Sequence, residues 1–125
     1  MIVGLGIDVV EVGRLADAIR RHGDHFVERV FTDGERAACD LRADRVLALA
    51  ARFAAKEACL KALGTGWAEG LGFRDVEVVR EGNQPPRIIL HGEAALRAEA
   101  LGVIRSHVSL THQPGLAAAV VVLES

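Results

Sequence analysis

The chain has 125 residues, half of them hydrophobic, with 15 basic and 17 acidic side chains and a formal net charge of −2. A chain of this length makes one compact domain, residues 1–125, with no room for a separate cofactor-binding domain. The near-neutral balance excludes a globally basic nucleic-acid footprint, so no nucleic-acid partner is expected and any acidic partner must be met by a local patch.

Cys39 and Cys59 are too few to form a disulfide framework, which makes a reducing compartment the default. The longest apolar run, Leu116 to Leu123, has eight residues, far short of the roughly 20 that a membrane helix needs. With no basic start leading into an apolar stretch, a cytoplasmic location and no membrane partner are expected.

Met1 to Val10 reads as a strand, with Val3, Leu5, Ile7 and Val9 pointing one way and Gly4, Gly6, Asp8 and Val10 the other. Both faces are apolar or small, as in a strand covered on both sides. Asp8 is out of place there, because Asp is depleted in strands; its ordinary role is to end the strand and open the next helix. Gly4 and Gly6 line up with it and mark close approach by another backbone or a ligand.

Val12, Leu15, Ala16 and Ile19 then recur at helical spacing up to Gly23, with Arg14, Ala18 and Arg21 on the opposite face. Taken alone, these arginines form a solvated basic face. Phe26 to Phe31 is apolar at intervals. Thr32-Asp33-Gly34-Glu35 has capping-box spacing and opens a short helix through about Leu41.

Asp44 is the expected cap of a long helix from Val46 to Leu63, a stretch free of Gly and Pro. At 3.6 residues per turn, Val46, Leu49, Ala50, Phe53, Leu60 and Gly64 share a core-facing stripe. Glu57 falls inside that stripe. A carboxylate there must be protonated, ion-paired or bound to a metal, since an unpaired buried charge costs several kcal/mol, about what a small domain can spare. The ordinary reading is a salt bridge to Lys61 one turn on. A second misplaced acid, Asp8, supports another: two carboxylates on separate rigid elements suit Mg²⁺, which takes one or two protein carboxylates and completes its shell with water and phosphate oxygens. No Cys/His spacing indicates zinc. Arg52, Lys56 and Lys61 on adjoining faces, with the Gly64-Thr65-Gly66 turn, point to a phosphorylated substrate.

Beyond this turn the sequence predicts a mobile loop from Trp67 to Phe73 and a hairpin of Asp75–Arg80 with Arg87–His91. A helix follows from Gly92 to Leu101 with Ala95, Leu96 and Ala100 inward, and then a final hairpin of Ile104–Leu110 and Leu116–Glu124 around the turn 111–115. In its first strand His107, Ser109 and Thr111 form a polar face, read from alternation alone as an outward surface or a functional one. The element order predicts an α+β single domain with a mainly antiparallel sheet packed against a long central helix.

Three stretches together resemble the holo-acyl-carrier-protein synthases, the small 4'-phosphopantetheinyl transferases. They are Gly6-Ile-Asp-Val-Val-Glu-Val-Gly-Arg14; Arg52-Phe-Ala-Ala-Lys-Glu-Ala58 continuing to Lys61-Ala-Leu-Gly-Thr-Gly66; and His107-Val-Ser-Leu-Thr-His112. The likeness runs in the family's order over essentially the whole chain, and the middle motif is the specific one. It implies the 4'-phosphopantetheinyl transferase fold and transfer of 4'-phosphopantetheine from coenzyme A to a serine of apo-acyl carrier protein, with Mg²⁺, in fatty acid or polyketide synthesis. Asp8 and Glu57 match the metal ligands and, with Lys61, the catalytic set. Arg52, Lys56, Lys61, Gly64, Thr65, His107, Ser109 and Thr111 become candidate coenzyme A contacts. Arg14 and Arg21 become the docking site for the acidic carrier protein. The resemblance also implies a homotrimer with sites between subunits. The rival readings are a non-catalytic module that binds coenzyme A or a carrier, and a metal-dependent phosphohydrolase.

Overall fold

The computed structural model describes residues 1–64 and 72–125. Strand β1 (Ile2–Glu11) leads into helix α1 (Val12–His22), which stops at Gly23, whose φ of 61° places it in the left-handed region. Helix α2 (Asp24–Val30) occupies the stretch read only as intermittently apolar, and buries Val27 and Val30. Helix α3 (Asp33–Asp40) opens with the expected capping box: Glu35 N donates to Thr32 Oγ1, and Thr32 N donates to Glu35 Oε1. Gly34 makes room beside that cap, since a Cβ there would stand 2.8 Å from Glu77 Oε2.

Helix α4 (Arg45–Ala62) is the axis of the molecule. The core wraps it more completely than a single stripe allows: Ala48, Ala51, Ala54, Ala55, Ala58, Cys59 and Ala62 are buried alongside Leu49, Ala50 and Leu60, whereas Val46 and Phe53 are half-buried and Gly64 is exposed. Small alanines allow neighbouring elements to approach from several sides, so amphipathic spacing underestimates the burial. Asp44 occupies the N-cap position without capping, because its carboxylate takes two hydrogen bonds from Arg42 at 2.7 and 2.9 Å.

A 3-10 turn over Phe73–Asp75 leads to β2 (Val76–Val79), which pairs antiparallel with β3 (Arg87–Leu90) in a separate two-stranded sheet. Helix α5 (Gly92–Ala100) turns Ala94 and Ala98 inward, while Leu96 is exposed and Ala95 half-buried, one position away from the expected face. Strands β4 (Arg105–Gln113) and β5 (Leu116–Glu124) complete an antiparallel three-stranded sheet in the order β1-β5-β4.

One face of this sheet lies on α4 through Ala117, Ala119, Val121 and Leu123, while Gly4 and Gly6 bring β1 against the helix backbone. A Cβ on Gly6 would stand 1.8 Å from the Ala58 carbonyl oxygen, and one on Gly4 2.2 Å from that of Ala62. The opposite face is open, which corrects the expectation of a strand covered on both sides: Leu5, Ile7 and Val9 are 65, 65 and 56 % exposed. The register sets them in rows with Val122, Val120 and Ala118 of β5, and then with His107, Ser109 and Thr111 of β4.

Candidate active site

The close fit of β1 on α4 brings Asp8 and Glu57 together. Asp8 follows Gly6 on the helix-facing side of the strand, and Glu57 immediately precedes Ala58, whose carbonyl Gly6 accommodates. Burial, and then the negative charge and hydrogen bonding of Asp8, push the Glu57 carboxyl up to about 7, with Lys61 pulling the other way. Lys61 Nζ donates to Asp8 Oδ1 at 3.0 Å and to the Ile7 carbonyl at 3.0 Å. With both carboxyls ionised, the second oxygen of Asp8, Oδ2, is buried without a hydrogen-bond partner. Both acids line one groove of about 430 Å³ together with Arg14, Ala18, Phe26 and Phe53.

Two like-charged groups and an orphaned acceptor oxygen form a donor set that a divalent cation would neutralise. Among the described residues no group of three or more His, Cys, Asp or Glu is assembled for a metal. Mg²⁺ fits the pair, since it needs few protein carboxylates when phosphate oxygens and water complete its shell. Cys39 and Cys59 are free and buried, and burial pushes the Cys59 thiol up to about 12. Both serve as packing side chains.

The remaining candidates are not gathered at one point. Lys56 departs from its expected role: it is fully buried, and its ammonium donates to Glu35 Oε1 at 2.6 Å and to the Val76 carbonyl at 2.5 Å. An ammonium enclosed in this way cannot reach a phosphate at the groove. Sequence reading overlooked Glu35 as its partner; the capping box had already accounted for that acid. Arg52 is not beside Glu57 either, since five residues carry it about 140° around the helix. It lines a different cleft of about 410 Å³ with Arg42, Arg80, Asn83, Ser109 and His112, and its Nε is buried without a partner.

His107 lies on the open sheet face, 2.5 Å from Glu124 Oε1, and Thr111 is exposed in the same row of β4. Gly64, just past the C-cap Leu63 of α4, has φ 81°, and Arg97 Nε donates to the Leu63 carbonyl before it. Thr65, Gly66 and residues 67–71 of the expected loop lie outside the described residues; its last residue, Phe73, is buried in the 3-10 turn. Arg14 and Arg21 are exposed on α1; Arg20 between them is paired with Asp17.

Fold and site together define a small α+β enzyme class: the profile of the 4'-phosphopantetheinyl transferase superfamily matches residues 4–121. A holo-[acyl-carrier-protein] synthase of Nitratidesulfovibrio vulgaris (strain DP4) is 51% identical over 125 residues, covering 100% of both chains. The crystal structure of the holo-[acyl-carrier-protein] synthase of Neisseria meningitidis superposes with a TM-score of 0.90 at 32% identity, covering 100% of both chains. That of Helicobacter pylori, in complex with coenzyme A, gives 0.84 at 32% identity, covering 96% of this chain and 99% of the other. The chain belongs to the holo-[acyl-carrier-protein] synthases of the 4'-phosphopantetheinyl transferase superfamily.

Proposed function

We propose that the chain transfers 4'-phosphopantetheine from coenzyme A to a serine hydroxyl of an apo-acyl carrier protein, releasing adenosine 3',5'-bisphosphate, in fatty acid or polyketide synthesis. The observation that carries this reading is the Asp8–Glu57 pair with Lys61 on its rim and one carboxylate oxygen left without a partner. In the transfer a bond forms between the serine oxygen and the phosphorus of the pantetheine phosphate, and the diphosphate P–O bond breaks, its electron pair leaving with the nucleotide. Asp8 and Glu57 would hold Mg²⁺, which when bound supplies positive charge to the diphosphate and to the developing leaving group. Lys61, whose side chain is about half exposed and whose ammonium bonds Asp8 and the Ile7 carbonyl, is assigned the contact to the leaving phosphate. The serine proton has two acceptors open to it, Glu57 and a water at the pair.

Arg52 and Ser109, in their arginine-lined cleft, are assigned to the nucleotide end of coenzyme A, and His107 and Thr111 to the strand beside it. Gly64, just past the end of α4, and its sequence neighbour Thr65 are assigned as backbone contacts for phosphate. Arg14 and Arg21 are assigned to the acidic carrier, with Ala18, Phe26 and Phe53 forming the apolar floor beside them.

Because Arg52 and Glu57 line different clefts among the described residues, the coenzyme A site is read as completed by a neighbouring subunit. The open apolar sheet face supplies a surface for self-association, and the active form is read as a homotrimer with sites between neighbours. Among the described residues no helix is long and apolar enough to cross a membrane. With both cysteines free, the enzyme is assigned to the cytoplasm.

Incubation of the chain with apo-carrier, coenzyme A and Mg²⁺, followed by intact-mass measurement of the carrier, tests the reading. A carrier gaining one phosphopantetheine supports it. An unmodified carrier with intact coenzyme A indicates a binding module, and coenzyme A cleaved without carrier indicates a hydrolase. A Glu57→Gln variant with full turnover would remove Glu57 from the site.

A further inference from the structure

Lys56 and Glu35 form the most deeply buried ion pair among the described residues, with neither side chain exposed. The Lys56 ammonium has three neighbours: Glu35 Oε1, the Val76 carbonyl and the ring of Phe31, whose centroid is 5.6 Å away. Glu35 is held in turn on both oxygens, since Oε1 also accepts from Thr32 N at 2.9 Å and Oε2 accepts from Val78 N at 2.9 Å. The carboxylate therefore fastens α4 to the cap of α3 and to the backbone of β2. A buried pair of this kind is a poor source of net stability, because apolar side chains of equal volume often serve as well. Its directional bonds to the cap of α3 and to β2 add a constraint on the axial position and rotation of the helix.

The position it selects matters because of the next residue. Glu57 stands between Lys56, bonded to Glu35 and β2, and Ala58, whose carbonyl is in close contact with Gly6 of β1. Residues 56 and 58 are thus clamped from two directions, with the carboxylate that meets Asp8 between them. A rotation of α4 by about 15° would carry the end of the Glu57 side chain about 1–2 Å sideways, given the radius of a helix with its side chains. Mg²⁺ demands near-ideal octahedral geometry and does not follow such a shift.

We infer that Glu35 is a positioning residue for the transfer reaction, acting through Lys56 to hold α4 where Glu57 and Asp8 share one cation. The inference rests on the reading of Asp8 and Glu57 as the metal-holding pair. Glu35 touches neither substrate nor metal, and its effect passes through the register of the helix.

The test compares Glu35→Gln, which keeps shape and an acceptor but loses the charge that orients Lys56, with Lys56→Met and with Val27→Ala, a core truncation on α2. Three quantities are measured: Mn²⁺ binding to the chain in the presence of coenzyme A without carrier, the Mg²⁺ concentration giving half-maximal transfer, and the metal-free melting temperature. Glu35→Gln is expected to weaken Mn²⁺ binding and raise the Mg²⁺ half-saturation about tenfold or more, the usual effect of removing a residue that orients a metal ligand. Val27→Ala should lower the melting temperature and leave both metal readings unchanged. If Glu35→Gln lowers the melting temperature alone, the pair merely stabilises the fold and the inference is overturned. Should Glu35→Gln fail to fold, Lys56→Met carries the same comparison. Mn²⁺ binding by the parent chain that persists in both Asp8→Asn and Glu57→Gln would overturn the metal assignment itself, and the inference with it.

Discussion

Lys61 bonds Asp8, at 3.0 Å, and among the described residues makes no ion pair with Glu57, one helical turn before it. The i,i+4 pairing expected on one helix gives way to a contact between helix and strand, so Lys61 offsets the charge of Asp8 directly and only partly opposes the burial and the Asp8 charge that push the Glu57 carboxyl up. Removing the ammonium should therefore act on both chemistry and fold. Lys61→Met is expected to reduce the transfer rate about 10²–10³-fold, the range seen when one charge-stabilising donor is lost. The rate should recover in part with Lys61→Arg, and steady-state kinetics with coenzyme A and apo-carrier provide the measurement.

Glu57 gives the metal-free protein a pH signature. Its folded value of about 7 lies above the ordinary 4.5, so between these values the folded chain binds more protons than the unfolded chain. Stability from this group is therefore full below about 4.5 and is lost as pH rises through 7. In Glu57→Gln that loss disappears: melting curves in EDTA should show the variant more stable than the parent at pH 8 by about 1 kcal/mol after solvent screening, with little difference at pH 5. Equal pH dependence in the two proteins would contradict the burial of Glu57 beside Asp8.

Local signals made much of this arrangement legible. Alternation located β1, spacing located α4, and an acid misplaced in each identified Asp8 and Glu57 before any packing was known. The Thr32–Glu35 cap was equally readable, because its partners are three residues apart. Lys56 was not readable, since its partner Glu35 is 21 residues away and only the packing of α3 on α4 brings them together. Alternation in β1 also could not tell a core-facing row from one left open, which is why Leu5, Ile7 and Val9 read as covered. In α5 the near-uniform alanine content left the inward face to be decided by contacts, and these favoured Ala94 and Ala98.

The glycine contact between β1 and α4 makes a prediction with an internal control. Gly6→Ala places a methyl group where the Ala58 carbonyl oxygen already stands, 1.8 Å away, and backbone cannot rotate out of the way. Stability should fall by about 1–3 kcal/mol or more, as for other overpacked sites, and Mg²⁺ half-saturation should rise because Asp8 moves with the strand. Gly13→Ala, in α1 with nothing within 4 Å of the added Cβ, should instead gain about 0.5–1 kcal/mol. Denaturant titration of both variants checks the pair.

Ile7 lies in the middle row of the open sheet face, beside Val120 with Ser109 beyond it, and is 65 % exposed. Ile7→Lys should leave the monomer folded, because the side chain makes no core contact on that face, while placing a charge in the apolar surface assigned to self-association. Sedimentation velocity is expected to report monomers, and turnover should drop with assembly, since Arg52 and Glu57 then have no neighbour to complete their clefts. A trimer that survives the substitution would move the interface elsewhere.

Arg14 and Arg21 occupy the exposed face of α1, seven residues and about two helical turns apart, and Arg14 also lines the groove that contains Asp8 and Glu57. Charges in this position act mainly on encounter and orientation, so their removal should appear as a carrier effect and leave coenzyme A unaffected. Arg14→Glu and Arg21→Glu are each expected to raise the carrier KM about tenfold at low salt with little change in the coenzyme A KM, because like charges then face an acidic partner. Raising ionic strength to about 0.5 M should narrow the gap between parent and variant, since screening weakens attraction in one and repulsion in the other. Arg20→Glu provides the contrast: Arg20 is already paired with Asp17, so its reversal should have a smaller effect on carrier use than that of either neighbour. Equal effects at all three positions would mean that net charge, and not a placed docking face, governs the encounter.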